Sequence, residues 1–178
     1  MVNPDDVPRV LNDAARRVGH GEIVIFGAAL ALWLDRAPSS KDVDLWVSPE
    51  DRGEIVEALM GELSWYHDKH GAYVEVCGPE TFEAPASWRS RAKTLVLPDY
   101  EDVAIVVPHP HDVLVAKLPR WSPSDRDHID RILAQFPMRA AQLDALANEC
   151  PSRSGHGTEA DRRAFEANLE ALRRTLPP

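Results

Sequence analysis

The chain has 178 residues, 44% of them hydrophobic and 28% charged. That is the length of one domain with room for a small helical addition, and it can bury a core without a disulfide or metal staple. No apolar run reaches the ~18 residues of a membrane span, and the N-terminal MVNPDDVPRV lacks the apolar stretch of a secretory signal. Cys77 and Cys150 form no framework spacing and point to a reducing, cytoplasmic setting. Net charge is −9, with 15 acids against 7 Lys and Arg in residues 1–80. This balance excludes a sequence-blind nucleic-acid coat but leaves room for an RNA held by a local basic patch.

Val7, Val10, Leu11, Ala14, Ala15 and Val18 recur at helical spacing and predict an amphipathic helix over 5–18, stopped by Gly19 and Gly21. Glu22–Phe26 (EIVIF) predicts a buried strand and Ala28–Asp35 a helix behind Gly27. Val43–Val47 (VDLWV) alternates and predicts a second strand. Pro49 opens a helix as its first residue, and the helical period runs over Glu50–Leu63. Tyr73–Cys77 predicts a third strand, and residues 78–93 read as irregular. Thr94–Leu97 and Val103–Val107 predict two more strands. Helices are expected at about 111–118, 124–135, 138–149 and 159–175. Strands first and helices after them predict an α+β fold with a small mixed sheet and a C-terminal helical subdomain. The expected division is 1–110 for the sheet with its N-terminal helix and 111–178 for a helical part packed on it as one compact unit.

The chemistry is concentrated in IFGAALALWLDRAPSSKDVDLWV. A helix that starts directly after a buried strand leaves its first N–H groups free at a glycine turn, a site suited to phosphate. Asp42 and Asp44 stand at i and i+2 of the next strand, so both project from one face. Paired carboxylates repel unless a cation sits between them, and an oxygen-only pair suits Mg²⁺. Glu75 is the central residue of the third strand. If its face is that of Asp42 and Asp44, three acids surround one metal position.

Strand, Gly27, helix, strand with Asp42-Val43-Asp44, helix, strand with Glu75 resembles the signature of the minimal nucleotidyltransferase superfamily, the polymerase-β-like fold. Phe26-Gly27-Ala28 fills its first position, and 13 residues separate Ala28 from Asp42. The later DVLVAKLPRWSPSDRDHIDRIL, residues 112–133, resembles a motif of the abortive-infection type E toxin nucleotidyltransferases and the domains of unknown function grouped near them. The resemblance covers about residues 22–135. It implies Mg²⁺ (or Mn²⁺) on Asp42, Asp44 and Glu75. It implies NTP bound by Gly27, Ala28 and Lys117, with Arg120 and Arg126 binding the triphosphate or the acceptor. Asp127 would be a polar residue of the catalytic site and a candidate base. Lys41, beside the acids, would neutralise phosphate or stand as a loop lysine.

The implied activity is transfer of a nucleoside monophosphate to an acceptor hydroxyl. The acceptor would be tRNA or another RNA, in toxin-like fashion with a cognate antitoxin or partner protein, a protein side chain, or a small molecule. Two other readings stand beside it. Ala28 replaces the signature's second Gly or Ser, which motivates a weakened domain that binds or neutralises a partner. The acidic first half would suit a cationic aminoglycoside, as in aminoglycoside nucleotidyltransferases.

Among the remaining features, Trp88-Arg89-Ser90-Arg91-Ala92-Lys93 is a basic run with an aromatic that would meet an RNA backbone and stack a base, or form a solvated loop. Arg126, Asp127, Asp130 and Arg131 also fit ion pairs on a wet helix face. Trp33, Trp46 and Trp65 sit at apolar positions and are expected in the core. His109-Pro110-His111 has no accompanying Cys pair, so zinc is not expected.

Overall fold

The structure is a computed structural model and describes residues 2–27, 30, 39–40, 42–151 and 158–178. Among them the chain divides into two compact units, residues 1–81 with 92–108, and residues 82–91 with 109–178.

The first unit opens with helix α1, Val7–Val18, whose buried residues are the six predicted from spacing. Burying each of its valines and its leucine contributes about 1.5–3 kcal/mol. Gly19, at φ +73°, ends the helix. Strand β1 is Gly21–Ile25, β2 is Val43–Ser48, and helix α2 is Glu50–Met60. Pro49 precedes α2 as its N-cap rather than entering it. Helix α3, Trp65–His70, is absent from the sequence reading. The Ser64 side chain accepts a hydrogen bond from the His67 N–H to start it, and Gly71 ends it in a left-handed conformation. Strand β3 is the short Val74–Val76. Strands β4, Lys93–Leu97, and β5, Tyr100–Val107, follow as a hairpin.

The five strands form one mixed sheet in the order β3-β2-β1-β5-β4. β1 pairs antiparallel with β2 and parallel with β5. β2 and β3 are parallel. Val43, Leu45 and Val47 are buried on one face of β2, while Asp42, Asp44 and Trp46 alternate onto the other and are half-buried. Tyr66 ties α3 to α1: its phenol donates to Asp13 Oδ2 at 2.9 Å and accepts from Arg9 at 3.2 Å.

The second unit contains helix α4, Trp88–Arg91, then α5, Pro110–Ala116, α6, Pro123–Gln135, α7, Ala140–Ala147, and α8, Glu159–Arg173. Its core joins Leu114 and Leu118 to Ile129, Ile132, Leu143 and Phe165. Reciprocal caps start two helices, Ser122 with Asp125 at α6 and Thr158 with Asp161 at α8. α4 falls within the stretch read as irregular. Sheet and helices together make the fold α+β, as expected.

Trp46 and Trp65 depart from expectation: Trp46 is half-buried on the face of β2 away from Val43, Leu45 and Val47, and Trp65 lies 67% exposed, with the Lys69 ammonium 4.5 Å from its ring centre. The apolar period continues into a helix too short to bury that side. Trp33 and the helix expected at 28–35, apart from Leu30, lie outside the described residues.

Candidate active site

Two strands and one turn build the site. The parallel register sets Val43 against Val74, Asp44 against Glu75 and Leu45 against Val76. Asp44 and Glu75 are therefore direct neighbours on one face, and Asp42 precedes Asp44 by one strand period. Asp42, Asp44 and Glu75 each place one carboxylate oxygen so that the three atoms lie within 4.8 Å of one another. Ser40 Oγ donates to Asp42 Oδ1 at 3.5 Å, and the Tyr73 phenol donates to Asp42 Oδ2 at 3.4 Å.

The turn after β1 meets the same carboxylates. Gly27 has φ +60°, and a Cβ built on it would overlap the Asp44 carboxylate. Backbone conformation and space both require glycine at this position. The Phe26 carbonyl accepts from the Leu30 N–H at 3.3 Å, a helical bond that begins at the strand end. Ala28 and Lys41 lie outside the described residues.

Concentrated negative charge leaves its mark on the neighbours. Burial and then the charge of Asp42 hold Glu75 above the usual carboxylate range. Burial and the same charge raise the Tyr73 phenol. The Cys77 thiol is pushed up to about 12, by burial first and by Asp44 and Glu75 after it. Three oxygen donors this close, with repulsion left over, match the needs of a hard divalent cation such as Mg²⁺. Soft or nitrogen ligands are not part of the set.

The second motif lies in the other unit. Lys117 is buried and donates to Asp125 Oδ1 at 2.9 Å. Arg120 reaches the same oxygen at 3.4 Å while its own side chain stays exposed. Asp125 also caps α6 through Ser122, at 2.7 Å from the Ser122 hydroxyl. Burial raises its carboxyl, but the bonds from Lys117 and Ser122 outweigh this and hold it below the usual range. Arg126, Asp127, Asp130 and Arg131 lie on the exposed side of α6, except that Arg131 takes part in further contacts. Asp125 was not singled out in the sequence. Its signal was the Ser-x-x-Asp capping pattern starting at Ser122.

The basic run resolves differently from its RNA reading. Trp88 is buried and packs edge-on against Phe82, with ring centres 5.3 Å apart, so its face is not offered to a base. Arg91 grips both oxygens of the wholly buried Asp112, with Nη2 at 2.6 Å from Oδ1. His109 caps α5, and His111 Nε2 lies 2.9 Å from the Phe136 carbonyl.

Among the described residues no helix is long and apolar enough to cross a membrane. No curated protein and no solved structure matches the chain. A family model does, over residues 7–173, and it takes in α1, the glycine turn, all three acids and the helical motif together. The chain belongs to the family described as nucleotidyltransferase of unknown function (DUF6036).

Proposed function

We propose that the protein moves a nucleoside monophosphate from an NTP to an acceptor hydroxyl with Mg²⁺ as cofactor. The observation that carries this reading is the triad of Asp42, Asp44 and Glu75, closed on one side by Gly27. The reaction forms a bond between the acceptor oxygen and the α-phosphorus, and the hydroxyl proton passes to solvent water. It breaks the bond from that phosphorus to the β-phosphate, and pyrophosphate leaves with the electron pair.

Mg²⁺, when bound, neutralises the triphosphate and favours ionisation of the attacking hydroxyl. Asp42, Asp44 and Glu75 would hold it. Asp44 is fixed by its strand position and by the glycine beside it. Asp42 is oriented by Ser40 and Tyr73. Lys117, Arg120 and Arg126 are the proposed triphosphate cations, supported by the motif around them. Of these, Arg120 and Arg126 are exposed, while Lys117 must exchange Asp125 for phosphate.

The test is release of pyrophosphate from each labelled NTP with Mg²⁺ and mixed acceptors of RNA, protein and small molecules. Asp44→Asn should lower the rate about 100-fold or more, since metal placement supplies several kcal/mol. Full activity in Asp44→Asn would overturn the reading.

A further inference from the structure

The sheet ends at β3 on one side and at β4 on the other, and the two edges are finished differently. β3 is three residues long, and its Val76 N–H donates to the Glu57 carboxylate at 2.8 Å. A short strand with an occupied donor is a protected edge. β4 is five residues long. Lys93, Thr94, Leu95 and Val96 are all exposed, Leu95 at 38% and Val96 at 56%. Their side chains alternate between the two faces, so neither face is covered at this edge.

Register decides which backbone groups of β4 point outward. The Phe26 N–H donates to the Asp44 carbonyl, so the even-numbered residues of β1 bond to β2 and the odd-numbered ones to β5. Ile23 pairs with Ile105 in parallel, so β5 turns its even residues to β1 and its odd residues to β4. Ile105 pairs with Leu95. Lys93 and Leu95 therefore bond to β5, and the N–H and C=O groups of Thr94 and Val96 face away from the sheet. Among the described residues nothing bonds to them.

Charge is arranged end to end along the same hairpin. Lys93 opens β4, and Asp99, Glu101 and Asp102 cluster at the turn, all of them exposed. Antiparallel pairing with an identical strand sets the cation of each copy against the acids of the other. Parallel pairing would set like charge against like.

We propose that β4 is a self-association edge whose partner is a second copy of this chain, paired antiparallel about a two-fold axis at Leu95. Thr94 of one copy faces Val96 of the other, each donating and accepting. Sliding the strands by two residues toward the turn would set Thr94 against Pro98, which has no N–H to give. The contact is isologous, so it consumes both edges and growth stops at the dimer. Even residues meet even residues, so the sheet face that bears Asp42 and Asp44 continues from one copy into the other.

Sedimentation equilibrium from about 5 to 500 μM covers the range of a small reversible interface. The mass should rise from 19.8 kDa toward twice that value. The Thr94 and Val96 amides should exchange with solvent more slowly at the concentrated end. Lys93→Glu should weaken association about tenfold, and Lys93→Glu with Asp99→Lys should restore it. Both positions are exposed, and the thermal midpoint of each variant checks its fold. Val96→Pro removes an outward N–H without touching a bond to β5 and should give a monomer; if it fails to fold, the charge variants decide. A chain that stays monomeric throughout would overturn the proposal. So would a dimer whose Thr94 and Val96 amides stay unprotected, or one that Lys93→Glu leaves unchanged. Failure of the double charge variant to recover would overturn the antiparallel alignment.

Discussion

The Cα of Gly27 stands where a side chain would collide with the carboxylate of Asp44. Turn and acid are thus coupled: with a Cβ at position 27 the Asp44 carboxylate would have to leave its place beside the turn. Gly27→Ala should destabilise by about 1–2 kcal/mol from the left-handed backbone alone, with added cost from the overlap. Mg²⁺-induced stabilisation should fall with it. A variant with unchanged thermal midpoint and full response to Mg²⁺ would show that the turn does not constrain the acid.

Glu75 provides a test by pH. Its folded carboxyl titrates above its ordinary value of 4.5, through burial and the charge of Asp42. A raised carboxylate favours the folded state while protonated. Its contribution is present below 4.5 and is lost as pH rises through the folded value. Metal-free protein at neutral pH therefore carries an uncompensated repulsion. Glu75→Gln should raise the metal-free midpoint by about 1–2 °C and remove most of the gain that Mg²⁺ gives. Thermal melts with and without Mg²⁺ check this, and a lower metal-free midpoint in the variant would refute it.

Lys117 and Asp125 form a buried pair, and breaking one side leaves a charge without its partner. Asp125→Ala should cost about 3–5 kcal/mol in urea unfolding. Lys117→Met with Asp125→Leu should recover most of that, short of about 1 kcal/mol for the lost cap of α6. The pair also sets an acid limit. Asp125 is held below its ordinary 3.8, so its stabilisation is present above that value and disappears as pH falls through the lowered one. A double variant as unstable as Asp125→Ala would contradict this account.

Arg91 is equally committed. It satisfies both oxygens of Asp112, which is 0% exposed. Arg91→Lys cannot reproduce the forked contact, and Arg91→Ala leaves a buried carboxylate alone, at a cost of about 3–5 kcal/mol. An RNA-contact role would instead leave stability unchanged. Unfolding of the two variants separates these outcomes.

The acids and the glycine were legible because their signals are local. Asp42 and Asp44 share a face through a two-residue period, and α1 reveals itself through six apolar positions. The pairing of Asp44 with Glu75 was legible only as a condition, since strand register depends on residues far apart in sequence. Asp125 and Asp112 were missed for a related reason: a carboxylate in a polar stretch looks solvated until its cation arrives from elsewhere in the fold. Trp65 shows the converse. Its sequence position is apolar in period, yet a six-residue helix gives it nothing to pack beneath.

The sheet order also dictates how the site is reached in time. Asp44 and Glu75 are brought together by a passage of about thirty residues that runs from β2 through α2 and α3 to β3. Ile23 meets Ile105 only after a loop of more than eighty has closed. Loop-closure entropy rises with the logarithm of length, so the longer closure costs about 0.9 kcal/mol more. Contacts of short sequence separation form sooner. The carboxylates of β2 and β3 would thus be neighbours while the seam between β1 and β5 is still open. Their mutual repulsion then acts against the nascent sheet, and divalent cations should speed refolding as well as strengthen the finished protein.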